Sequence, residues 1–238
     1  MQSKTMLHSF VGLLLFANMA AAEIASLCNT GQTHVTATGC TGVLVPPNPT
    51  GGGPNRDGNW ALAAPYPSTL SAHGPCGLTG FVPAWVDYNN NWLSNGASPV
   101  SEWITPYDGE GYYPAPGWYV YRTGFHVPSL LPGGIVPTGV TLNGRLASDN
   151  STYGFYMASP ANGGSCAFVE GLPVPISPLN GPTFQQWWDF SFTNPIAITP
   201  GADLFLYVVV QNEYDSDFPN GDSSTGLRVE FLDTSSFH

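Results

Sequence analysis

The chain has 238 residues, with 16 Asp and Glu against 5 Lys and Arg and a formal net charge of −11. Clustered Lys and Arg able to neutralise phosphates are missing, which excludes nucleic-acid binding and electrostatic attraction to an anionic lipid surface. Neutral or cationic partners remain: sugars, metal ions or basic proteins.

The first residues, MQSKTMLHSFVGLLLFANMAAAEIAS, carry Lys4, an apolar run over 10–16 and the small residues Ala20, Ala21 and Ala22. That order is the pattern of a secretory signal peptide over 1–22, and the apolar run is too short for a stable membrane span. The expected product is a single β domain over 23–238, secreted or periplasmic, with no membrane anchor once the signal is removed. An even set of cysteines (Cys28, Cys40, Cys76 and Cys166) suits an oxidising compartment. Three pairings are open to four cysteines; the preferred one joins Cys28 to Cys40, stapling a short hairpin, and Cys76 to Cys166. A four-thiolate zinc site is disfavoured because no close CxxC pair is present.

Along the mature chain, 28 Gly and 23 Pro separate short apolar segments, and no window shows a helical period. This is the pattern of an all-β, antiparallel sandwich. HVTATGCTGVLV suggests an N-terminal hairpin within about 27–45, followed by the breaker-rich loop PPNPTGGGPN over 46–55. Later come GNWALAA, SEWITP, GWYVYRTGFHV, GVTLNGRLAS, TYGFYMA, FQQWWDFSF, PIAITP, ADLFLYVVVQN and TGLRVEFLD. LFLYVVV is apolar on both faces and reads as a central strand covered on each side. In TGLRVEF, Leu227, Val229 and Phe231 alternate with Arg228 and Glu230, as in a strand with one dry and one wet face.

Three constellations bear on chemistry. The insert EYDSDFPNGD holds Glu213, Asp215, Asp217 and Asp222, carboxylates that can supply several of the about six to eight oxygens a calcium ion takes. Its spacing is not that of an EF-hand, and the rival reading is a solvated hairpin tip whose charges protect a sheet edge. A polar tip is poor ground for the raised pKa of a catalytic acid, so no catalytic residue is assigned and no cofactor beyond a calcium ion is expected. Ser165 is not in a G-x-S-x-G elbow, and His34, His73 and His126 are scattered. Aromatic residues carry a binding signal, since sugar rings pack their C–H faces on flat aromatic surfaces. AWVDYNNNWLSN combines Trp85, Tyr88 and Trp92 with Asp87 and several Asn, while QQWWDF places Trp187 and Trp188 on opposite faces of a strand. Trp60, Trp103 and Trp118 read as core. Asn150-Ser151-Thr152 is a glycosylation sequon that matters only in a eukaryotic secretory route.

Taken in order, DGNWALAA, SEWITP, PGWYVYRTGFHV, GVTLNGRLASDNS, ITPGADLFLYVVVQN and TGLRVEF resemble a group of exported bacterial β-sandwich proteins often found with a C-terminal PEP-CTERM sorting tail. The similarity runs over roughly 27–232. It implies a jelly roll of the galactose-binding or carbohydrate-module type. The chain departs from the group in its acidic insert, which is longer than the usual turn, and in ending at DTSSFH with no sorting tail. The resulting expectation is a non-catalytic secreted protein that binds carbohydrate or a cell-surface component, with a structural calcium. The alternatives are a structural envelope or matrix protein without small ligand, and a secreted glycoside hydrolase.

Overall fold

Period-two alternation decides where strands form, and the computed structural model describes them within residues 22–24, 27–34, 40–45, 55–66, 74–87, 92–94, 100–107, 113–159, 166–168, 183–193, 196–217 and 223–238. The segment 1–22 expected to be a signal peptide lies outside these residues except for Ala22, and the 46–55 loop lies outside except for Asn55. The strands in chain order are β1 (Ala22–Glu23), β2 (Gln32–His34), β3 (Cys40–Leu44), β4 (Arg56–Tyr66), β5 (Val82–Val86), β6 (Ile104–Thr105) and β7 (Gly117–His126). They continue with β8 (Val140–Asp149), β9 (Ser151–Ala158), β10 (Ala167–Phe168), β11 (Trp188–Thr193), β12 (Asp203–Asn212), β13 (Gly226–Phe231) and β14 (Ser236–Phe237). The described helices are short 3-10 turns at Gly74–Gly77 and Thr183–Gln185.

Twelve strands make one antiparallel sheet in the order β1-β14-β8-β13-β6-β5-β4-β7-β12-β9-β10, with β11 on the other edge of β8. β11 and β9 stand far apart in that order, yet Phe155 of β9 packs against Phe190 and Phe192 of β11, with ring centroids 5.2 and 6.4 Å apart. The sheet therefore curls on itself around one apolar interior. The all-β expectation holds, in a sandwich-like form. Within 27–45, β2 and β3 pair as a separate two-stranded sheet. The cysteines pair as preferred from the sequence, Cys28 with Cys40 and Cys76 with Cys166, each at a Cα separation of 5.3 Å.

The interior collects Trp60, Tyr119, Tyr121, Phe125, Phe155, Leu206, Val208, Leu227 and Val229 among others. β12 is buried on both faces as its composition demands: Leu204, Leu206, Val208 and Val210 point in, while Tyr207 and Val209 are buried in a second cluster outside. Trp118 belongs to that outer cluster, Trp60 to the interior, and Trp103 to a third cluster over β8. All three tryptophans assigned to the core are buried.

The DGNW segment has a local job. Asp57 is fully buried and accepts hydrogen bonds from the backbone N–H of Gly31 (2.6 Å), Asn59 (2.7 Å) and Trp60 (3.0 Å). The Trp60 indole N–H donates to the Cys28 carbonyl at 3.1 Å, so one short motif ties the N-terminal segment to β4. Burial raises the Asp57 pKa to about 6, against the lowering effect of the three amides.

β13 departs from the sequence reading. Leu227 and Val229 face the interior as expected, but Arg228 and Glu230 on the other face are buried too. Their strand is covered on both sides. Segments 92–94 and 183–187 lie over the outer face of β8 and β13, where Trp92, Trp103 and Ala147 form a cluster flanked by Leu93, Phe184 and Trp187.

Candidate functional site

Neighbouring strands β8 and β13 place Arg145, Arg228 and Glu230 on one outer sheet face, with Glu230 directly opposite Arg145 in the pairing register. Glu230 is the hub. Its Oε2 accepts from Arg145 Nε at 2.6 Å and pairs with Arg145 Nη2 at 2.5 Å. Its Oε1 accepts from Ser101 Oγ at 2.7 Å and lies 3.4 Å from Arg228 Nη2. Arg228 donates from Nε to Ser101 Oγ at 2.7 Å and from Nη1 to the carbonyls of Leu93 and Ser94 at 3.3 and 3.2 Å. Each charged side chain therefore has several partners, the condition under which buried charge is tolerated. The Arg228 and Glu230 side chains are 3 and 5% exposed, whereas Arg145 is 40% exposed. Burial pushes the Arg228 guanidinium below its ordinary value, with Glu230 and Glu102 pulling it back up.

Trp187 lies on this pair of cations. The Arg145 and Arg228 guanidinium carbons sit 4.5 and 4.8 Å from its ring centroid, within cation–π range. The indole is half-buried, and Gln185, Gln186 and Asp189 beside it are exposed. Leu93 anchors the cover from below: its N–H donates to the Phe184 carbonyl at 2.7 Å, and its carbonyl accepts from the Trp103 indole at 3.0 Å.

A second polar group closes the end of β8. Asp149 is buried, and its Oδ2 accepts from the Trp92 indole N–H at 2.8 Å. Burial raises its pKa to about 7; the Trp92 hydrogen bond lowers it and the nearby Glu213 charge raises it. Asn212 fastens the loops here, donating to the Pro114 carbonyl at 2.7 Å and accepting from Ser223 Oγ at 2.7 Å.

No family model, curated protein or solved structure matches this chain.

The residues singled out from the sequence are distributed as follows. Trp85 sits on β5, half-buried, with the Arg56 guanidinium 3.9 Å from its ring and Arg56 in turn donating to the Pro83 carbonyl at 2.9 Å. Trp92 is 7% exposed and packs on Trp103, with centroids 4.6 Å apart. Trp188 packs against the main interior while Trp187 packs over β8 and β13, so the two adjacent indoles do diverge. Tyr88 lies outside the described residues.

In the acidic insert, Glu213 accepts from Ser151 Oγ at 2.8 Å, and Asp215 accepts from the Asp217 N–H at 2.9 Å. Asp222 lies outside the described residues. Among the described residues no group of three or more His, Cys, Asp or Glu is placed to hold a metal ion. Likewise, no described helix is long and apolar enough to cross a membrane. The sequon residue Asn150 is half-buried, with its Oδ1 accepting from the Glu213 N–H at 3.2 Å.

Arg145, Arg228, Glu230, Ser101 and Asp149 are the site residues that sequence reasoning missed. The available signal was scarcity. In a chain with only 5 Lys and Arg, two cations on paired strands beside one Glu are worth explaining.

Proposed function

We propose that the chain is an exported, non-catalytic β domain that binds carbohydrate on the outward face of Trp187. Both guanidinium groups rise from neighbouring strands of the same sheet face and lie over the indole, which stays half-buried beside exposed Gln185, Gln186 and Asp189. That single arrangement carries the reading. A flat ring, held rigid at low entropic cost, is bordered by two exposed amides and a carboxylate that suit sugar hydroxyls. Two disulfides support an oxidising, secreted or periplasmic location. Membership of the exported PEP-CTERM-associated group is part of the proposal. It rests on the resemblance of the ordered segments DGNWALAA, SEWITP, PGWYVYRTGFHV and TGLRVEF.

The carboxyls with raised pKa do not favour a hydrolase. Asp57 is turned to three backbone amides and Asp149 to an indole, inside the structure, while a glycosidase needs its two carboxyls across a sugar. A calcium ion at the acidic insert remains part of the proposal only in so far as Asp215 and Asp217 share one turn, and melting with and without chelator tests it. The second reading, a structural envelope protein, is favoured by the packing of Trp85, Trp92 and Trp188.

The experiment is a pull-down on insoluble polysaccharides with an oligosaccharide array, run on the wild type and Trp187→Ala. Binding that is lost in Trp187→Ala while the melting curve stays cooperative supports the site. Equal binding by both moves the ligand elsewhere, and no binding by either at millimolar sugar removes the carbohydrate reading.

A further inference from the structure

The outer face of β7, β12 and β9 is apolar and is covered by a short piece of the chain's own backbone. Trp118 and Val120 of β7, Tyr207 and Val209 of β12, and Ala158 of β9 form a buried cluster on that face. Lying on it are Cys76, Leu78 and Phe81, all from residues 74–81. Phe81 meets Tyr207 edge-on at 6.1 Å, and the Arg122 guanidinium reaches to 4.1 Å from Phe81 and 5.2 Å from Phe205. At its C-terminal end the cover is continuous with β5, where Val82 and Pro83 pair with Leu62 and Ala61. Further back, the disulfide to Cys166 holds it down, beside β10, and the Cys76 N–H donates to Cys166 Sγ at 2.9 Å. The cover carries Gly77, Thr79 and Gly80 at exposed positions and buries Pro75, with Leu78 and Phe81 half-buried.

The two disulfides differ in their surroundings. Cys28 is 1% exposed and its carbonyl is used by Trp60, while its partner Cys40 is half-buried. Cys76 and Cys166 are both half-buried, so neither half of this bridge is sealed in the way that Cys28 seals one half of the other. The interior cluster that holds the curled sheet lies on the opposite side of β7 and β12 from this cover.

We propose that residues 74–81 form a thiol-releasable cover. Reduction of Cys76–Cys166 by a dithiol frees it and exposes the apolar outer face of β7, β12 and β9 while the interior stays folded. The dithiol is oxidised to its own disulfide, and Cys76 and Cys166 are each left as a thiol. The device is independent of the Trp187 site, which lies over β8 and β13.

The test applies a graded series of dithiothreitol to the folded, oxidised full chain, traps free thiols with iodoacetamide and locates them by peptide mass. Binding of the dye ANS and amide hydrogen exchange are followed on the same samples. Cys76 and Cys166 should be alkylated at lower dithiothreitol than Cys28 and Cys40. Dye fluorescence should rise several-fold at that step, with protection lost in 74–81 but kept in β8 and β13, and reoxidation should reverse the rise. Three results overturn the proposal: alkylation of Cys28 and Cys40 first or together with the other pair, no dye signal once Cys76 and Cys166 are both trapped, or simultaneous loss of protection throughout the sheet.

Discussion

Replacing Glu230 by Gln keeps its shape and removes the charge that balances two arginines. Arg145 is 40% exposed and can turn to water once its partner is neutral. Arg228, at 3% exposure, cannot. It retains Ser101 and the carbonyls of Leu93 and Ser94 as acceptors, but its bonded carboxylate is gone. Removing one member of a buried pair in this way costs about 3–5 kcal/mol. The reverse change, Arg228→Met, is milder by the same logic, because Glu230 keeps both Arg145 contacts and Ser101. Its cost is set by the donors lost from two carbonyls, at about 1 kcal/mol each, or about 2 kcal/mol in all. In the double variant Arg228→Met/Glu230→Met no buried charge is stranded, so it should be more stable than Glu230→Gln alone by about 1–2 kcal/mol. Urea unfolding followed by tryptophan fluorescence, with the slopes compared as a check on two-state behaviour, measures all three. The reasoning fails if Glu230→Gln costs no more than Arg228→Met, or if the double variant loses the sum of the two single losses.

Other expectations follow from single positions. A Cβ added at Gly144 would meet the Phe190 ring at 2.4 Å and the Glu230 carbonyl at 2.5 Å, the latter a backbone atom that cannot move aside. Gly144→Ala should therefore cost more than about 3 kcal/mol or abolish folding, read from the yield of soluble protein and its melting temperature. A Cβ at Gly77 meets nothing within 4 Å, so Gly77→Ala is the matched control and should leave the melting temperature unchanged. Asp149 binds its proton more tightly folded, at about 7, than at the ordinary 3.8, so its contribution is fully present below about pH 4 and is lost as pH rises through about 7. Asp149→Asn keeps an acceptor for Trp92 and removes this loss; its stability relative to wild type should improve by about 3 kcal/mol between about pH 5 and about pH 8, and an unchanged difference would contradict the buried-carboxyl account.

The residues that could be read correctly in isolation are those whose neighbours are close in sequence or whose chemistry allows few partners. LFLYVVV is apolar at every position, and a strand of that kind has to be covered on both sides wherever it lies in the sheet. Four cysteines have few pairings, and one of them is short enough to staple a hairpin. The outer face of β13 is the opposite case. Leu227, Val229 and Phe231 alternate with Arg228 and Glu230, and the same alternation describes a strand with a wet face and a strand whose polar face is capped by another segment. What decides between them is whether 92–94 and 183–187 settle on that face, contacts that reach up to 135 residues along the chain. Local pattern holds no information about it. Trp92 is a case of the same kind: its Asp and Asn neighbours mark a loop, and nothing local says that the indole finishes between Trp103 and the Asp149 carboxyl. Gly226 shows that the sheet is cut to receive it, since a Cβ there would stand 2.8 Å from the Trp92 ring. A glycine that opens TGLRVEF thus belongs to the packing of a tryptophan far upstream. DGNW and TGLRVE are in this sense halves of long-range contacts, and they carry structure whether or not the surface above them carries a ligand.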